Sequence, residues 1–221
     1  GKIAVIVGGT GLYIDNLVEN IELADSEVDL ELRAKLMARA ESEGIDALIE
    51  ELKAIDPEYV ASLKEINTKR IVRALELWHT SGITVTQQNR RSRLNESPYR
   101  ACYLCLDAHD RDILYNRINA RVDKMVDDGL LQEAEQFLKS KGITSAQAIG
   151  YKELDPYFSE EKTLQEALDS LKQSTRRYAK RQLTWFRRNE NAIHLYIDEY
   201  ESPLALQEAA FNIIDNFLKE E

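Results

Sequence analysis

The chain has few of the residues that thiol- or metal-dependent proteins rely on. Its 221 residues include two cysteines and three histidines. Cys102 and Cys105 form a C-x-x-C, but a zinc site needs further ligands, and His79, His109 and His194 do not fall at usable spacing. Both cysteines sit in A-C-Y-L-C-L, which reads as a buried strand whose residues three apart face opposite sides, so core thiols in a reducing compartment are expected. No apolar run approaches the roughly 20 residues of a membrane span. No charged-then-apolar leader precedes a small-residue cleavage site, so the reading is a soluble cytoplasmic protein without a membrane partner. Internal repeats and low-complexity tracts are missing, and with no oligomer signal a monomer is expected. At 43% hydrophobic residues, the length suffices for one core, or one core and a small satellite domain.

Positive charge is the scarcer sign, 29 Lys and Arg against 39 Asp and Glu, for a net charge of -10. Yet Lys172 to Arg188, K-Q-S-T-R-R-Y-A-K-R-Q-L-T-W-F-R-R, contains no acid. Wound as a helix at about 100° per residue, it gathers Arg176, Lys180, Arg187, Thr184, Arg177, Arg181 and Arg188 on one arc. Tyr178, Trp185, Gln182, Phe186, Ala179 and Leu183 fill the other. One face belongs to a core and the other presents cations to a polyanion. Arginine in this density favours bidentate phosphate recognition over a solvated surface, for which lysine would serve as well. A membrane surface or a calmodulin-like partner fits less well, because Gln182 interrupts the apolar arc. Phosphate or RNA is the leading partner. Arg177, Arg181 and Arg187 are expected to set the salt dependence of its binding.

Ile3 to Val7 is a β-branched run that predicts a central parallel strand. It breaks at Gly8-Gly9-Thr10-Gly11, and a helix begins at Leu12 and Tyr13, a layout that aims backbone N–H groups at an anion. A tight turn needing positive φ explains the glycines equally well, and no Gly-Lys-Ser/Thr follows to make a Walker loop. The next seventy or so residues read as helices without strands. Asp25, Ser26 or Asp29 caps a helix through Leu32, Leu36 and Ala40 to Gly44, and Pro57 and Asn67 open later ones. Lys69, Arg70 and Arg73 project from the first turns of the helix after Asn67. Cations there oppose the macrodipole, which a bound anion would explain, a scattered surface charge set being the alternative. Residues 84–97 lack apolar periodicity and predict a mobile connector. A strand at 101–106 then returns to the sheet. Asp107 or Asp110 caps a long helix that carries Arg117 and Arg121 one turn apart. Ser145 to Lys152 reads as a site loop, Ile193 to Ile197 as a last strand, and Leu204 to Leu218 as a closing helix. The prediction is an α/β fold with a discontinuous core, 1–24 and 99–221, and an all-helical insertion domain at 25–98.

V-G-G-T-G-L-Y at Val7 to Tyr13, K-R-I-V-R-A-L-E at Lys69 to Glu76 and R-I-N-A-R-V-D-K-M at Arg117 to Met125 are followed by Q-A-I-G-Y-K-E at Gln147 to Glu153 and A-K-R-Q-L-T-W-F-R at Ala179 to Arg187. In this order and spacing they resemble the bacterial tRNA dimethylallyltransferase family, also called tRNA isopentenyltransferases, nearly end to end. The resemblance implies a P-loop-NTPase-like parallel-sheet core, incomplete at its N-terminus, with a helical insertion that grips a tRNA anticodon stem-loop. It implies attack by the exocyclic N6 of an adenosine beside the anticodon on C1 of dimethylallyl diphosphate. Diphosphate then leaves with help from Mg²⁺. By position, Arg121 resembles the arginine that neutralises the diphosphate, and Thr10 the threonine at the reaction channel, beside the target nucleotide. The tRNA contacts implied are Thr10, Arg33, Lys69, Arg70, Ile71, Val72 and Arg73, then Gln147, Ala148, Ile149, Gly150, Tyr151 and Lys152, and finally Lys180, Arg181, Gln182, Leu183, Thr184, Trp185, Phe186 and Arg187. The family's G-x-T-x-S-G-K-T loop and the Asp-Ser that follows it, which hold diphosphate and Mg²⁺ and supply the general base, would lie before Lys2. The 221 residues alone are therefore expected to be inactive in prenyl transfer. A noncatalytic RNA-binding module and an adenylate isopentenyltransferase are the other readings, the latter needing neither the insertion nor the basic helix.

Overall fold

A computed structural model describes residues 3–22, 28–139 and 148–220. The chain divides into two compact units, Leu12–Arg100 and Gly1–Gly11 with Ala101–Glu221.

The first unit is helical, with α1 (Gly11–Val18) entering it and α2 (Leu30–Ser42), α3 (Ile45–Ile55), α4 (Pro57–Ser62), α5 (Thr68–Ser81) and α6 (Val85–Arg91) following. Each boundary has a local chemical cause. The Asp29 carboxylate accepts from the Leu32 N–H at 2.9 Å, and the Asn67 carbonyl from the Arg70 N–H at 3.3 Å. These bonds satisfy amides that a helix start leaves unpaired. Gly82 closes α5 in the left-handed region at φ 66°. Leu36, Leu48, Leu52, Ile71, Val72, Ala74 and Leu75 form the core of this unit.

The expected connector at 84–97 contains α6 instead. Thr84 and Gln87 form a reciprocal capping box, a T-x-x-Q signal that the missing apolar periodicity obscures. The helix is fastened by Asp56, which is 3% exposed. Its carboxylate accepts from the Thr86 N–H at 2.9 Å, the Thr86 hydroxyl at 2.6 Å and the Tyr59 N–H at 3.1 Å. Burial pushes the Asp56 carboxyl up, but these bonds outweigh it and hold it below the usual range.

The second unit holds β1 (Tyr103–Asp107), α7 (Arg111–Asp127), α8 (Leu130–Lys139), α9 (Tyr151–Phe158), α10 (Leu164–Phe186), β2 (Ala192–Tyr196) and α11 (Pro203–Lys219). The strands pair in parallel, with Cys105 opposite His194 and Asp107 opposite Tyr196. Asp110, not Asp107, caps α7. Val122, Leu130, Ala134, Leu154, Ala167 and Leu171 join α7, α8, α9 and α10 in one cluster. Cys105 is buried and Cys102 half-buried, and burial pushes both thiols up, away from the reactive thiolate.

Two readings of the sequence change here. Ile3 to Val7 is not a strand; Val5 is 80% and Val7 93% exposed. A strand exists only where neighbours accept from its N–H groups and donate to its C=O groups, and among the described residues the sheet has two strands, neither bordering this run. Of the site loop predicted at 145–152, residues 145–147 lie outside the described residues. The rest leads straight into α9, which Gly150 opens at φ 116° and whose Leu154 is fully buried. Among the described residues, no helix is long and apolar enough to cross a membrane.

Candidate nucleic-acid interface

The glycine turn and α10 are fitted to one another. A Cβ on Gly11 would lie 2.1 Å from Trp185 Cδ1, and one on Gly9 2.2 Å from Gln182 Nε2. Thr10 Oγ1 lies 3.2 Å from the Tyr178 hydroxyl, so the turn rests on a row, 178, 182 and 185, along one face of the helix. Gln182 and Trp185, read from sequence as RNA contacts, therefore also form the seat of the turn. Gly11→Ala is expected to destabilise the protein by about 1–3 kcal/mol, although alanine by itself favours a helix by about 1 kcal/mol, because the indole must move. Gly9→Ala should cost less, since the end of the Gln182 side chain can swing aside. Denaturant titration and Trp185 emission in a Trp78→Phe background would measure both effects.

Three cations of the basic segment are committed within the protein. Lys172 pairs with Asp123 at 2.5 Å, and Arg176 donates to the Asn119 carbonyl at 2.7 Å. Arg187 grips Asp107 with two bonds of 2.8 Å. The Asp107 carboxylate is fully buried at the end of β1 and also accepts from the Ala108 N–H. Burial pushes this carboxyl up, and Arg187 and Ala108 more than reverse it, holding it below the usual range. Arg177, Lys180, Arg181 and Arg188 are exposed, and among the described residues none makes an ion pair. Arg181 lies over the Tyr178 ring at 5.7 Å and Arg188 over Trp185 at 6.0 Å, contacts that hold a guanidinium in place without neutralising it. Thr184 is exposed beside them. Leu183 is half-buried, and Phe186 packs in the core against Tyr103.

On α7, Ile118 and Val122 are buried while Arg117 and Arg121 are exposed, without an ion pair among the described residues. The structure shows no contact between Arg121 and Thr10. At α9 the buried Glu153 carboxylate accepts from the Gly150 N–H at 2.9 Å and fixes the turn. That turn leaves Ala148, Ile149 and Lys152 exposed. The Tyr151 hydroxyl donates to Glu133, and its ring stacks on Phe137 at 4.9 Å. Gln147 lies outside the described residues.

In the helical unit, Lys69 and Arg70 are exposed, but Ile71 and Val72 point into the core. Arg33 and Arg73 converge on Glu76, which is fully buried, with contacts at 2.9 and 3.1 Å. Burial pushes the Glu76 carboxyl up; the two guanidinium groups outweigh this and hold it below the usual range. Arg33→Ala is therefore expected to lower the stability of the helical unit by about 1–2 kcal/mol, measured by denaturant titration, besides any change in RNA affinity. Sequence reading missed the roles of four buried acids: Glu76 and Asp107 hold arginine side chains, Asp56 fastens α6, and Glu153 fixes the turn before α9.

A parallel pair of strands, a glycine turn and a long helix with one open cationic face define an α/β protein. The chain belongs to the IPP transferase family, whose model matches residues 1–189. It is 45% identical over 194 residues to the tRNA dimethylallyltransferase of Halalkalibacterium halodurans, covering 86% of this chain and 61% of the relative. It is 38% identical over 223 residues to that of Caldanaerobacter subterraneus, covering 99% of this chain and 71% of the relative. The chain thus spans about three fifths to seven tenths of the length of these curated relatives. Among solved structures, the full-length tRNA isopentenylpyrophosphate transferase from Bacillus halodurans superposes with a TM-score of 0.60 at 38% identity, over 96% of this chain and 65% of that one. A eukaryotic dimethylallyltransferase acting on tRNA shares the fold, with a TM-score of 0.69 at 22% identity over 95% of this chain and 56% of that one. The P-loop-like fold expected from the sequence is the fold of these structures.

Proposed function

We propose that this chain supplies the RNA-docking surface and the diphosphate-neutralising arginine of a tRNA dimethylallyltransferase. The observation that carries the reading is the open cationic face of α10, with Arg177, Lys180, Arg181 and Arg188 exposed on a protein of net charge -10. These cations meet the phosphates of an anticodon stem-loop, aided by the α9 turn of the same unit, and Lys69 and Arg70 give the helical unit exposed cations of its own. An adenine inside a stacked loop cannot reach an allyl carbon, so it leaves the stack beside Thr10, where aromatic and guanidinium surfaces replace its neighbours.

In the reaction, N6 of that adenine forms a bond to C1 of dimethylallyl diphosphate. The C1–O bond breaks, diphosphate leaves with the electron pair, and N6 gives up a proton to a base. Negative charge gathers on the leaving group, so fixed cations stabilise the transition state more than the ground state. Arg121, exposed on a helix anchored by Ile118 and Val122, suits that task. Mg²⁺ when bound would share this neutralisation. Among the described residues, no group of three or more His, Cys, Asp or Glu could hold a metal; Mg²⁺ held through diphosphate oxygens, waters and one or two carboxylates would not require one.

The sequence contains no G-x-T-x-S-G-K-T loop, and the 221 residues by themselves are expected not to turn over. Incubation of the protein at its natural length with an anticodon hairpin and dimethylallyl diphosphate, followed by digestion and mass spectrometry, should yield a dimethylallyl-adenosine. Binding of the hairpin without this product would leave an RNA-binding module. Prenylation of free AMP without prenylation of the hairpin would favour the nucleotide-directed enzyme.

A further inference from the structure

The face of α10 that seats the glycine turn meets it in two ways. Gln182 and Trp185 press on Gly9 and Gly11 so closely that a Cβ there would lie 2.2 and 2.1 Å from them, and these contacts set the path of the backbone. Tyr178 meets a side chain: its hydroxyl lies 3.2 Å from Thr10 Oγ1. All of these residues belong to one compact unit. The Tyr178 ring is itself held, because the Arg181 guanidinium, about one turn further along α10, lies 5.7 Å from its centroid.

The bond between the two hydroxyls does little for stability. Thr10 is exposed and Tyr178 half-buried, so water can satisfy either group once the other is removed. What the bond controls is direction. A threonine hydroxyl rotates to suit its surroundings, and in an exposed turn water competes for it. A phenol is more acidic than an alkyl hydroxyl and is the better donor of the two. With the Tyr178 proton on Oγ1, the Thr10 proton must point away from the phenol. Phenylalanine at 178 would keep the ring beside Arg181 and leave this rotor unset.

We propose that Tyr178 is a positioning residue for prenyl transfer: its phenol donates to Thr10 Oγ1, and Thr10 thereby keeps its own proton for an acceptor atom of the docked adenosine. The proposal rests on the prenyl-transfer reading above. An orienting contact of this kind acts on the geometry of the reacting atoms, whereas hairpin affinity comes from phosphate contacts along α10. Its loss therefore falls on turnover and not on binding.

The test uses the protein at its natural length with an anticodon hairpin and dimethylallyl diphosphate, and compares wild type, Tyr178→Phe, Thr10→Val and the double variant. Tyr178→Phe should slow single turnover at saturating hairpin about tenfold, the scale of one hydrogen bond. Its hairpin Kd and denaturation midpoint should match wild type. Thr10→Val should be at least as slow, and adding Tyr178→Phe to it should slow it no further. Thr10→Ser, which keeps the hydroxyl, should restore the tenfold response to Tyr178→Phe. Thr10→Ala takes the place of Thr10→Val if the valine variant does not fold. The positioning role is overturned if Tyr178→Phe slows the reaction by the same factor in the Thr10→Val background, or has no effect in wild type. A loss shared by hairpin Kd or by the denaturation midpoint also overturns it, making Tyr178 an RNA contact or a structural prop. Each of these results leaves prenyl transfer standing. A wild-type protein that binds the hairpin and forms no dimethylallyl-adenosine overturns both.

Discussion

Arg121→Ala is expected to lower turnover by about 10²–10³-fold, the loss seen when one fixed donor to a developing negative charge is removed. Affinity for the anticodon hairpin should change little. The guanidinium is exposed and makes no ion pair among the described residues, so removing it strands no buried charge. Ile118 and Val122 keep α7 anchored on the core. Single-turnover kinetics with saturating hairpin, set beside a hairpin Kd, separates the two effects. Equal losses in both would make Arg121 an RNA contact. Arg117, one turn earlier, provides the control for a non-specific loss of charge on the same helix.

The Arg187–Asp107 pair should dominate stability in the strand-bearing unit. Removing Arg187 leaves a fully buried carboxylate with the Ala108 N–H and His194 as its remaining partners. Arg187→Ala is expected to cost about 2–3 kcal/mol, reduced from the usual buried-pair figure because the arginine is half exposed. Asp107→Ala should cost less, about 1 kcal/mol, since the freed guanidinium can turn to water. The pH dependence follows from the lowered Asp107 carboxyl. Its stabilisation is complete above the ordinary carboxylate pKa near 3.9 and is lost as pH falls through the folded-state value. Without Arg187, burial prevails and the carboxyl rises, so acid unfolding of Arg187→Ala should begin at higher pH than wild type. Denaturant titrations across acidic pH would show this. The pair also alters what Arg187 is expected to do with RNA. Its charge is matched by Asp107, so the salt slope of hairpin binding should move less for Arg187→Ala than for Arg177→Ala.

These two cases show what the sequence could reveal. The amphipathic arcs of Lys172 to Arg188 are visible from spacing because the helical period is fixed, and α10 places Arg177, Lys180 and Arg181 outward as the spacing predicts. Spacing cannot say which cations meet a carboxylate from elsewhere in the chain. Arg187 finds Asp107 eighty residues away and Arg33 finds Glu76 across the helical unit, and neither acid has a local signature. Ile71 and Val72 belong to a contact segment by motif and to the core by packing, because a helix that turns Lys69 and Arg70 outward must turn its neighbours inward. The strand expected at Ile3 to Val7 failed for a related reason: β-branched composition permits a strand, while partners make one. The α6 helix was legible in principle from Thr84 and Gln87, since a capping box needs no hydrophobic stripe.

Hairpin affinity measured against salt concentration, for wild type and for Arg177→Gln with Lys180→Gln and Arg181→Gln, tests the docking face of α10 most directly. Each single-strand phosphate contact contributes a slope of about -0.7 to log K against log salt. The triple variant should bind more weakly, with a slope shallower by about two units. An unchanged slope and affinity would mean that these cations only solvate the helix, and the RNA-docking reading of α10 would be wrong.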